Sequence, residues 1–304
     1  MSSSIKNVII VGAGGHIGAP ILAAFIADPH FTVSILTRSS STSTFPSHLT
    51  IHRVEDSYPK ESLISAFQGQ DAVISAIATA GLGLQTKLID AAVKAGVKRF
   101  VPSDFGIDTR NEKALAIFPQ YFAGKLGTVN YLKETEEKMA WTSFVNGPYF
   151  ELSLTFGFMG FDLKEQKAIL YNDGNGVWSA TTTATVGLAV KNSMHVPETE
   201  NKYVFIDSFA VSQNQVLASL EKATGKKWAA THVDAEEQKE IGLEKVKKGD
   251  FSGAPFLIRY FNCVEGHGGD YSKYENMSNE LLSLPKESLD EVVLQVVRGL
   301  DSSA

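Results

Sequence analysis

Along the first 150 residues, short apolar runs alternate with segments whose apolar residues recur at helical spacing. The runs at 8–11, 31–36, 50–54, 72–76, 99–101 and 141–145 predict six β-strands. The segments at 17–27, 61–67, 85–95 and 119–138 predict the helices between them. Because residues 8–11 are apolar throughout, we expect that strand to be covered on both faces. The alternation predicts an α/β fold of the Rossmann type, with a doubly wound parallel sheet.

After Pro148 this alternation stops. Residues 150–161 are rich in aromatic side chains but follow no clean period. Later patterns predict a strand at 203–206 and helices at 213–223, 236–247 and 288–300. A glycine-rich segment at 266–270 is predicted to be a loop, either a mobile lid or an ordinary surface loop. We therefore expect a Rossmann domain over 1–150 and a smaller mixed α/β region over 151–304, parts of which pack back on the sheet.

The composition is that of an ordinary globular protein, since 43% of the 304 residues are hydrophobic and 20% are charged. A net charge of −6 argues against a nucleic-acid surface, which needs a concentrated basic face. The sequence contains no run of 18 apolar residues, so we expect no transmembrane helix. The amino terminus lacks the apolar core of a secretion signal, so we expect no secretion. A single cysteine, Cys263, suits a reducing compartment. We expect a cytoplasmic monomer or homodimer with no membrane or nucleic-acid partner.

Two features that could suggest other chemistry are better explained by structure. Cys263 stands alone and is interpreted as a packing residue rather than a nucleophile. His48 and His52 are four residues apart on a predicted strand, where that spacing does not form a zinc site. We therefore predict no metal.

The strongest motif is the glycine-rich segment Gly12-Ala-Gly-Gly-His-Ile-Gly18, which follows the first strand and opens the first helix. Gly12, Gly15 and Gly18 fit a variant of the dinucleotide fingerprint, and His16 and Ile17 lie between the last two glycines. A tight turn without side chains lets backbone N–H groups and the helix dipole meet a pyrophosphate. The alternative is a plain strand-to-helix turn, but the position in a βαβ series favours a dinucleotide site.

Arg38 stands twenty residues after Gly18, at the end of the second predicted strand. An acidic residue there would bind the ribose hydroxyls of NAD, whereas an arginine offers donors to a 2′-phosphate. The hydroxyls of Thr37 and Ser39 are nearby. This pattern favours NADPH over NADH, with an exposed arginine of no such role as the alternative.

The ends of the third and fourth strands supply further candidate contacts with the cofactor. Asp56 is placed either to reach the adenine amino group or to cap the next helix. Ser75, Ala76 and Ile77 leave the fourth strand toward the expected nicotinamide ribose, where small residues allow close approach.

Candidate catalytic residues follow the fifth strand. Ser103 lies at its carboxyl end, where open α/β sheets place their ligands, and is either a substrate contact or a loop serine bonded to the backbone. Tyr121 and Lys125 are four apart on the next predicted helix and share a face. An ammonium lowers the pKa of a nearby phenol, so the pair can protonate a carbonyl or imine during reduction. Aromatic packing is the alternative role for Tyr121.

Several separated motifs, taken in order, resemble the atypical short-chain dehydrogenases called NmrA-like or isoflavone reductase-like. These motifs are the glycine segment, Thr37-Arg38, and residues 92–106, 125–132 and 144–150. The resemblance runs from residue 8 to about residue 161 and is weaker beyond. It implies NADPH, with Arg38 on the 2′-phosphate and Lys125 as the catalytic or ribose-binding lysine. It also implies that Pro148 and Phe150 border the nicotinamide.

The resemblance further implies that the second half covers a pocket for an aromatic substrate, with Phe105 and Tyr149 as candidate contacts. The chain departs from the plant pattern, which lacks a tyrosine at the position of Tyr121 and has basic residues where this chain has Thr128-Val-Asn130. It is therefore closer to the fungal members. The leading hypothesis is an NADPH-dependent reductase of a small, aromatic secondary metabolite. The alternatives are an NADP(H)-binding sensor without turnover and a non-redox isomerase or cyclase.

Overall fold

The computed structural model describes residues 4–274 and 276–301. Its strands are β1 (Asn7–Val11), β2 (Thr32–Arg38), β3 (Thr50–Val54), β4 (Ala72–Ser75), β5 (Arg99–Val101), β6 (Ala140–Val145), β7 (Phe161–Asp162), β8 (Lys167–Tyr171), β9 (Val177–Ala180), β10 (Lys202–Phe205), β11 (Phe209–Ser212) and β12 (Ala229–Val233). Within the described ranges, seven of them form one parallel sheet in the order β3-β2-β1-β4-β5-β6-β10. The predicted Rossmann-type doubly wound sheet is confirmed.

Helices cover both faces of this sheet. They are α1 (Gly18–Ile26), α2 (Lys60–Phe67), α3 (Gln85–Ala95), α4 (Glu112–Ile117), α5 (Pro119–Lys133), α6 (Phe150–Thr155), α7 (Thr183–Ser193), α8 (Gln213–Thr224), α9 (Ala235–Lys247), α10 (Ala254–Cys263) and α11 (Leu289–Asp301). In β1, Val8 and Ile10 pack with α1 and α7, while Ile9 and Val11 pack with α2 and α3. Burial on both faces explains why this strand is apolar at every position.

Most predicted boundaries lie within two residues of the observed ones, and the end of α5 is the exception. The helix predicted to end at 138 ends at Lys133, because the chain turns there through hydrogen bonds such as Thr135 N to Leu132 O before entering β6. The strand predicted at 203–206 is β10, which pairs in parallel with β6 at the edge of the main sheet. The second half of the chain therefore extends the sheet of the first half.

Helix α7 had no sequence prediction, and its packing explains why. Its segment, TATVGLAVKNS, is rich in threonine and valine and is buried on more than one side, so no single apolar stripe stands out. A Cβ at Gly187 would lie 2.6 Å from the carbonyl oxygen of Pro20. Because this glycine allows close approach, α7 packs directly against α1 on the main sheet.

The carboxyl-terminal half has its own core around Trp178 and Phe261, with a three-stranded sheet β12-β8-β7 and a pair β11-β9 beside it. Cys263 is buried in this core, and burial raises its pKa to about 12. In the glycine-rich segment, Gly268 and Gly269 are buried, and Gly269 O accepts a hydrogen bond from Ser179 N at 2.9 Å. This segment is a packed connection. Among the described helices, none has the length and apolar character needed to span a membrane.

Candidate active site

A cleft of about 640 Å³ opens at the carboxyl ends of β4, β5 and β6, between the amino terminus of α1 and the helices α5, α6 and α10. Of the residues predicted for the site, those that line it are Gly15, His16, Ile17, Ala76, Ile77, Ser103, Phe105, Tyr121, Lys125, Pro148 and Tyr149. The structure thus brings the glycine-rich segment, the end of β5 and the Tyr121–Lys125 helix to one place.

The segment 12–18, called the glycine loop below, needs its glycines for steric reasons. Gly12 has φ of +84°, and a Cβ there would lie 2.6 Å from the carbonyl oxygen of Ala76. A Cβ at Gly18 would lie 2.1 Å from Gly12 O. Gly15 is exposed on the cleft, and its Cβ would meet Gly12 O at 3.4 Å, an ordinary contact. Gly12 and Gly18 are therefore required for the close packing of the turn, while Gly15 leaves the main chain of the loop open to the cleft.

The amino terminus of α1 is suited to an anion. The helix begins at Gly18 with Ile17 before it, and no side chain in the described ranges caps that end. Its first turn contains no acidic residue. Uncapped N–H groups and the positive end of the helix dipole attract phosphate. The glycine loop therefore has the backbone geometry that a dinucleotide pyrophosphate requires.

Arg38 lies at the end of β2 with about half of its side chain exposed, and its Nη1 is 3.7 Å from Asp56 Oδ2. An exposed ion pair of this kind is weak, so the guanidinium is available to another anion. Asp56 accepts hydrogen bonds from the main-chain N and the hydroxyl of Ser40, which lower its pKa. The position before α2 is occupied by Pro59, so Asp56 does not cap that helix.

Other predicted cofactor residues contribute mainly to the framework. The hydroxyl of Ser39 donates to Val54 O at 3.0 Å, and Thr37 is buried in β2. Ser75 is fully buried below the cleft, whereas Ala76 and Ile77 line it. Ala76 and Ile77 therefore form part of the cleft surface, and Ser75 itself does not reach it.

Ser103 lines the cleft, but its hydroxyl is already bonded. It donates to Ile77 O at 2.8 Å, so it joins the ends of β4 and β5. The N–H of Ser103 donates to Gln85 Oε1 at 2.6 Å, and Gln85 Nε2 lies 3.4 Å from Thr128 Oγ1 on α5. Gln85 is fully buried and links the strand end to the helix that carries Lys125. Sequence reasoning missed this residue because a glutamine at the start of a helix is usually exposed.

Lys125 is held at the end of β5 by main-chain oxygens. Its Nζ donates to Asp104 O and, at 2.7 Å, to Phe105 O. A Cβ at Gly106 would lie 3.3 Å from Nζ, so the glycine makes room for the ammonium. Because an ammonium has three N–H donors, one remains for a molecule in the cleft.

Asp104 has a buried carboxyl next to Lys125. It lies within the 92–106 segment, but no role was predicted for it from the sequence. Its Oδ2 accepts a hydrogen bond from Ser143 Oγ, and its Oδ1 has no partner in the described residues. Burial raises the pKa of Asp104, while the positive charge of Lys125 opposes that shift. The carboxyl therefore resists ionisation although it lies beside a cation.

Two tyrosines face the cleft near Lys125. Tyr121 is half-buried, one helical turn before the lysine, and its ring stacks on Phe118 at 5.4 Å. Burial raises the pKa of Tyr149 far above its usual range, and neighbouring Tyr121 and Asp104 add to the shift. Tyr149 therefore stays protonated near neutral pH, and it can act as a hydrogen-bond donor.

The two predicted residues Phe105 and Pro148 lie on the cleft, but Phe150 does not. The ring of Phe105 stacks on Phe144 at 6.0 Å and forms part of the cleft floor. Phe150 is fully buried, and its ring packs against Phe209 in the carboxyl-terminal core. Residue 150 begins α6 and its ring points into that core, so the ring does not line the cleft, and its place beside the nicotinamide stays a prediction.

Beside the glycine loop, Phe156 and Phe158 form an aromatic wall of the cleft. These side chains are 52% and 38% exposed, and both line the cleft. His16 of the glycine loop contacts Phe156 edge to face, with 5.6 Å between ring centres. From α10, Arg259 donates to the carbonyl oxygens of Gly157 and Phe158 at 3.2 Å each. A buried arginine thus fixes the wall that faces the loop.

A parallel sheet whose glycine loop and lysine share one cleft defines a nucleotide-binding α/β enzyme. The NmrA-like family model matches residues 4–268, and the chain belongs to that family. It is 51% identical to "Oxidoreductase aprR" of Aspergillus flavus over 295 residues, which cover 96% of this chain and 99% of that protein. "Oxidoreductase poxI" of Penicillium oxalicum is 32% identical over 292 residues, covering 94% and 92%. The chain is an oxidoreductase, as predicted.

Solved structures of the same fold include complexes with NADP+ or NADPH. The structure "AtPrR2 with NADP+ and (+)pinoresinol" superimposes with a TM-score of 0.80 at 22% identity, covering 97% of this chain and all of that one. A leucoanthocyanidin reductase–NADPH complex from Vitis vinifera gives 0.79 at 18% identity, covering 96% and 100%. The isoflavone reductase homologue of Zea mays is 27% identical over 259 residues, covering 78% of this chain and 80% of that protein. The predicted resemblance, with greater likeness to fungal members, is confirmed.

Proposed function

We propose that this oxidoreductase uses NADPH to reduce a C=O, C=C or C=N bond of a small aromatic secondary metabolite. The observation that carries the proposal is the convergence of the glycine loop, Lys125 and the aromatic wall on one cleft. Arg38 supports NADPH over NADH, since its guanidinium can bind a 2′-phosphate. The two solved structures compared above also contain NADP+ or NADPH.

The two halves of the chain have different roles in this proposal. We propose that residues 1–150 bind NADPH and that residues 151–304 supply much of the substrate-facing surface. The glycine loop and Arg38 fit the pyrophosphate and the 2′-phosphate, respectively. The region after residue 150 contributes the aromatic wall, and its strand β10 and helix α7 pack back on the sheet and on α1. The cleft therefore lies where the two parts meet.

When bound, NADPH supplies the hydride. Lys125, fixed by two carbonyl oxygens, directs its third N–H to the cofactor ribose or to the substrate oxygen. Tyr121 lies one turn away on the same face of α5 and can deliver the proton that a reduced carbonyl or imine requires. The aromatic wall, Phe156 and Phe158, gives the bound substrate an apolar surface. The residues of this chain thus position the cofactor and the substrate and supply the proton.

Size and composition of the cleft support an aromatic substrate. About 640 Å³ lies within the range of ligand pockets, of the order of 300–1,000 Å³. Most of its lining is apolar, including Phe122, Leu152 and Phe158. Flat apolar side chains favour a planar hydrophobic ligand.

The test is turnover with a panel of aromatic ketones, enones and imines, followed by NADPH absorbance and product analysis. The wild type should consume one NADPH per product, and Lys125→Met should lower turnover by about 100-fold or more. Lys133→Met, an exposed lysine at the end of the same helix, is the matched control and should keep activity. NADPH binding without turnover would support the sensor, and product without NADPH consumption would support the isomerase.

A further inference from the structure

Strand β12 forms an open edge of the three-stranded sheet in the carboxyl-terminal half. On one side it pairs in parallel with β8, from Ala229 opposite Lys167 to Val233 opposite Tyr171. On its other side no strand in the described ranges pairs with it. The first four residues of β12 are exposed, so neither a helix nor a loop covers this edge.

The hydrogen bonds to β8 show which main-chain groups of β12 are free. The N–H of Ala229 donates to Gln166 O at 3.1 Å. In a parallel ladder every second residue bonds to the same neighbour, so the odd-numbered residues of β12 face β8. The N–H and C=O groups of Ala230 and His232 therefore point away from the sheet. They are two donors and two acceptors in a row.

The composition of β12 does not protect this edge. The strand reads Ala-Ala-Thr-His-Val and contains no proline, lysine, arginine or acidic residue. Natural sheets usually protect an open edge with a charged side chain, a proline or a covering segment. The main sheet does so, since β3 carries the exposed Arg53 and β10 is bridged at Phe205 to Met277. An edge without such protection favours pairing with another strand.

The charges at the two ends of β12 indicate which strand that is. Lys226 and Lys227 precede the strand, and Asp234, Glu236 and Glu237 follow it, all of them exposed. Lys227 and Glu236 form ion pairs within the chain, whereas Lys226 and Glu237 form none in the described ranges. An antiparallel copy of the same segment would place its acidic end beside this basic end. The segment is therefore complementary to itself.

We propose that β12 pairs antiparallel with β12 of a second copy of this chain, around a two-fold axis at Thr231. Ala230 of each copy lies opposite His232 of the other, and these two pairs form four main-chain hydrogen bonds. The two three-stranded sheets become one sheet of six strands. Lys226 of each copy lies toward the acidic first turn of α9 of the other. The same patch serves both copies, so the contact closes as a dimer.

A cysteine at the axis tests the register directly. In Thr231→Cys the Cα atoms of the two copies lie about 4.5 Å apart, within disulfide range, so mild oxidation should join them. Ala229→Cys is the matched control, because residue 229 is exposed in the same strand and lines the same groove as Thr231. The register separates its two copies by about 14 Å, and cross-linking on a non-reducing gel should be about 10-fold slower. The native Cys263 is buried.

Light scattering tests the dimer itself. The wild type should have about twice the mass of one chain. Ala230→Pro removes two of the four hydrogen bonds and should raise the dimer Kd by about 10-fold or more. Proline is tolerated where the N–H points away from its own sheet, so the melting temperature of this variant measured as a monomer should change little. Ala230→Ser keeps both hydrogen bonds and is the control.

Reversal of the end charges separates a second copy from any other strand. Lys226→Glu should weaken the dimer, and adding Glu237→Lys should restore it, because the two charges meet only between copies. This pair also gives an independent reading if Ala230→Pro does not fold.

The proposal is wrong if the wild type stays monomeric at its highest soluble concentration, even if a foreign peptide binds β12. It is also wrong if Thr231→Cys cross-links no faster than Ala229→Cys, or if a folded Ala230→Pro protein dimerises like the wild type, since the dimer would then use another surface. These measurements need neither cofactor nor substrate. The dimer and the proposed reductase activity can therefore fail independently of each other.

Discussion

The glycine loop and the aromatic wall both line the cleft and meet where His16 contacts Phe156, yet they are built in opposite ways. In the loop, main-chain atoms form the surface, and glycines are needed because there is no room for side chains. A Cβ added at Gly12 would lie 2.6 Å from Ala76 O. In the wall, side chains form the surface, and Arg259 on a distant helix holds their backbone in place. A substitution in the loop should therefore act by adding atoms, whereas one in the wall should act by removing them.

The largest effect is expected where an added methyl group meets the backbone. Gly18→Ala places a Cβ 2.1 Å from Gly12 O, which should cost about 3 kcal/mol or more and abolish NADPH binding. Gly127→Ala is the control, because no atom outside its own stretch of α5 lies within 4 Å of its Cβ and alanine favours a helix by about 0.5–1 kcal/mol. Thermal melting and cofactor titration measure both. A Gly18→Ala protein that melts and binds like the wild type would contradict the backbone role of the loop.

The contrast also explains what the sequence could predict. The demands on the glycine loop fall on seven consecutive residues, so Gly12, Gly15 and Gly18 stand out in the chain. Lys125 could be predicted because it follows the fifth strand on a helix. Gln85 could not, because its role depends on contacts with Ser103 and Thr128, which are far away in the sequence. The direction of the Phe150 ring could not be predicted for the same reason, since only the packing of α6 shows it.

Cofactor preference gives the next largest effect. Arg38→Glu replaces a donor to the 2′-phosphate with a like charge, and the ratio of NADPH to NADH affinity should fall by about 10- to 100-fold. Lys202→Glu makes the same charge change on β10, at the opposite edge of the sheet, and should leave the ratio unchanged. Titration of each variant with NADPH and with NADH measures this ratio. An unchanged ratio in Arg38→Glu would overturn the assignment of the 2′-phosphate to this residue.

The aromatic wall can be tested by removing one ring. Phe156→Ala should weaken binding of naphthol by about 10-fold, since apolar contact area is lost, while NADPH affinity should stay within about twofold. Phe251, the most exposed large apolar residue among those described, is outside the cleft, and Phe251→Ala is the control. If NADPH affinity falls as much as naphthol affinity, the wall and the loop are not separable, and the comparison between them fails.

The smallest expected effect concerns Asp104, which acts on Lys125 through both its main chain and its side chain. Its main-chain oxygen binds Lys125, as in a backbone-built site, but its buried carboxyl also lies near that charge. Burial raises the pKa of this carboxyl above its usual 3.8, so it is protonated in both states at low pH and contributes nothing there. As pH rises through the raised pKa, the unfolded chain ionises more readily, and the folded protein loses stability.

Asp104→Asn removes this loss because an amide cannot ionise. The melting temperature of the variant, minus that of the wild type, should therefore increase between pH 4 and pH 8, by about 1–3 °C. Lys125→Met should lower the wild-type melting temperature further at pH 8, because the positive charge that opposes the raised pKa is gone. In the Asp104→Asn background the same lysine substitution should have little pH-dependent effect. A difference in melting temperature that stays flat with pH would show that Asp104 ionises normally in the fold, and that only its main-chain oxygen matters to Lys125.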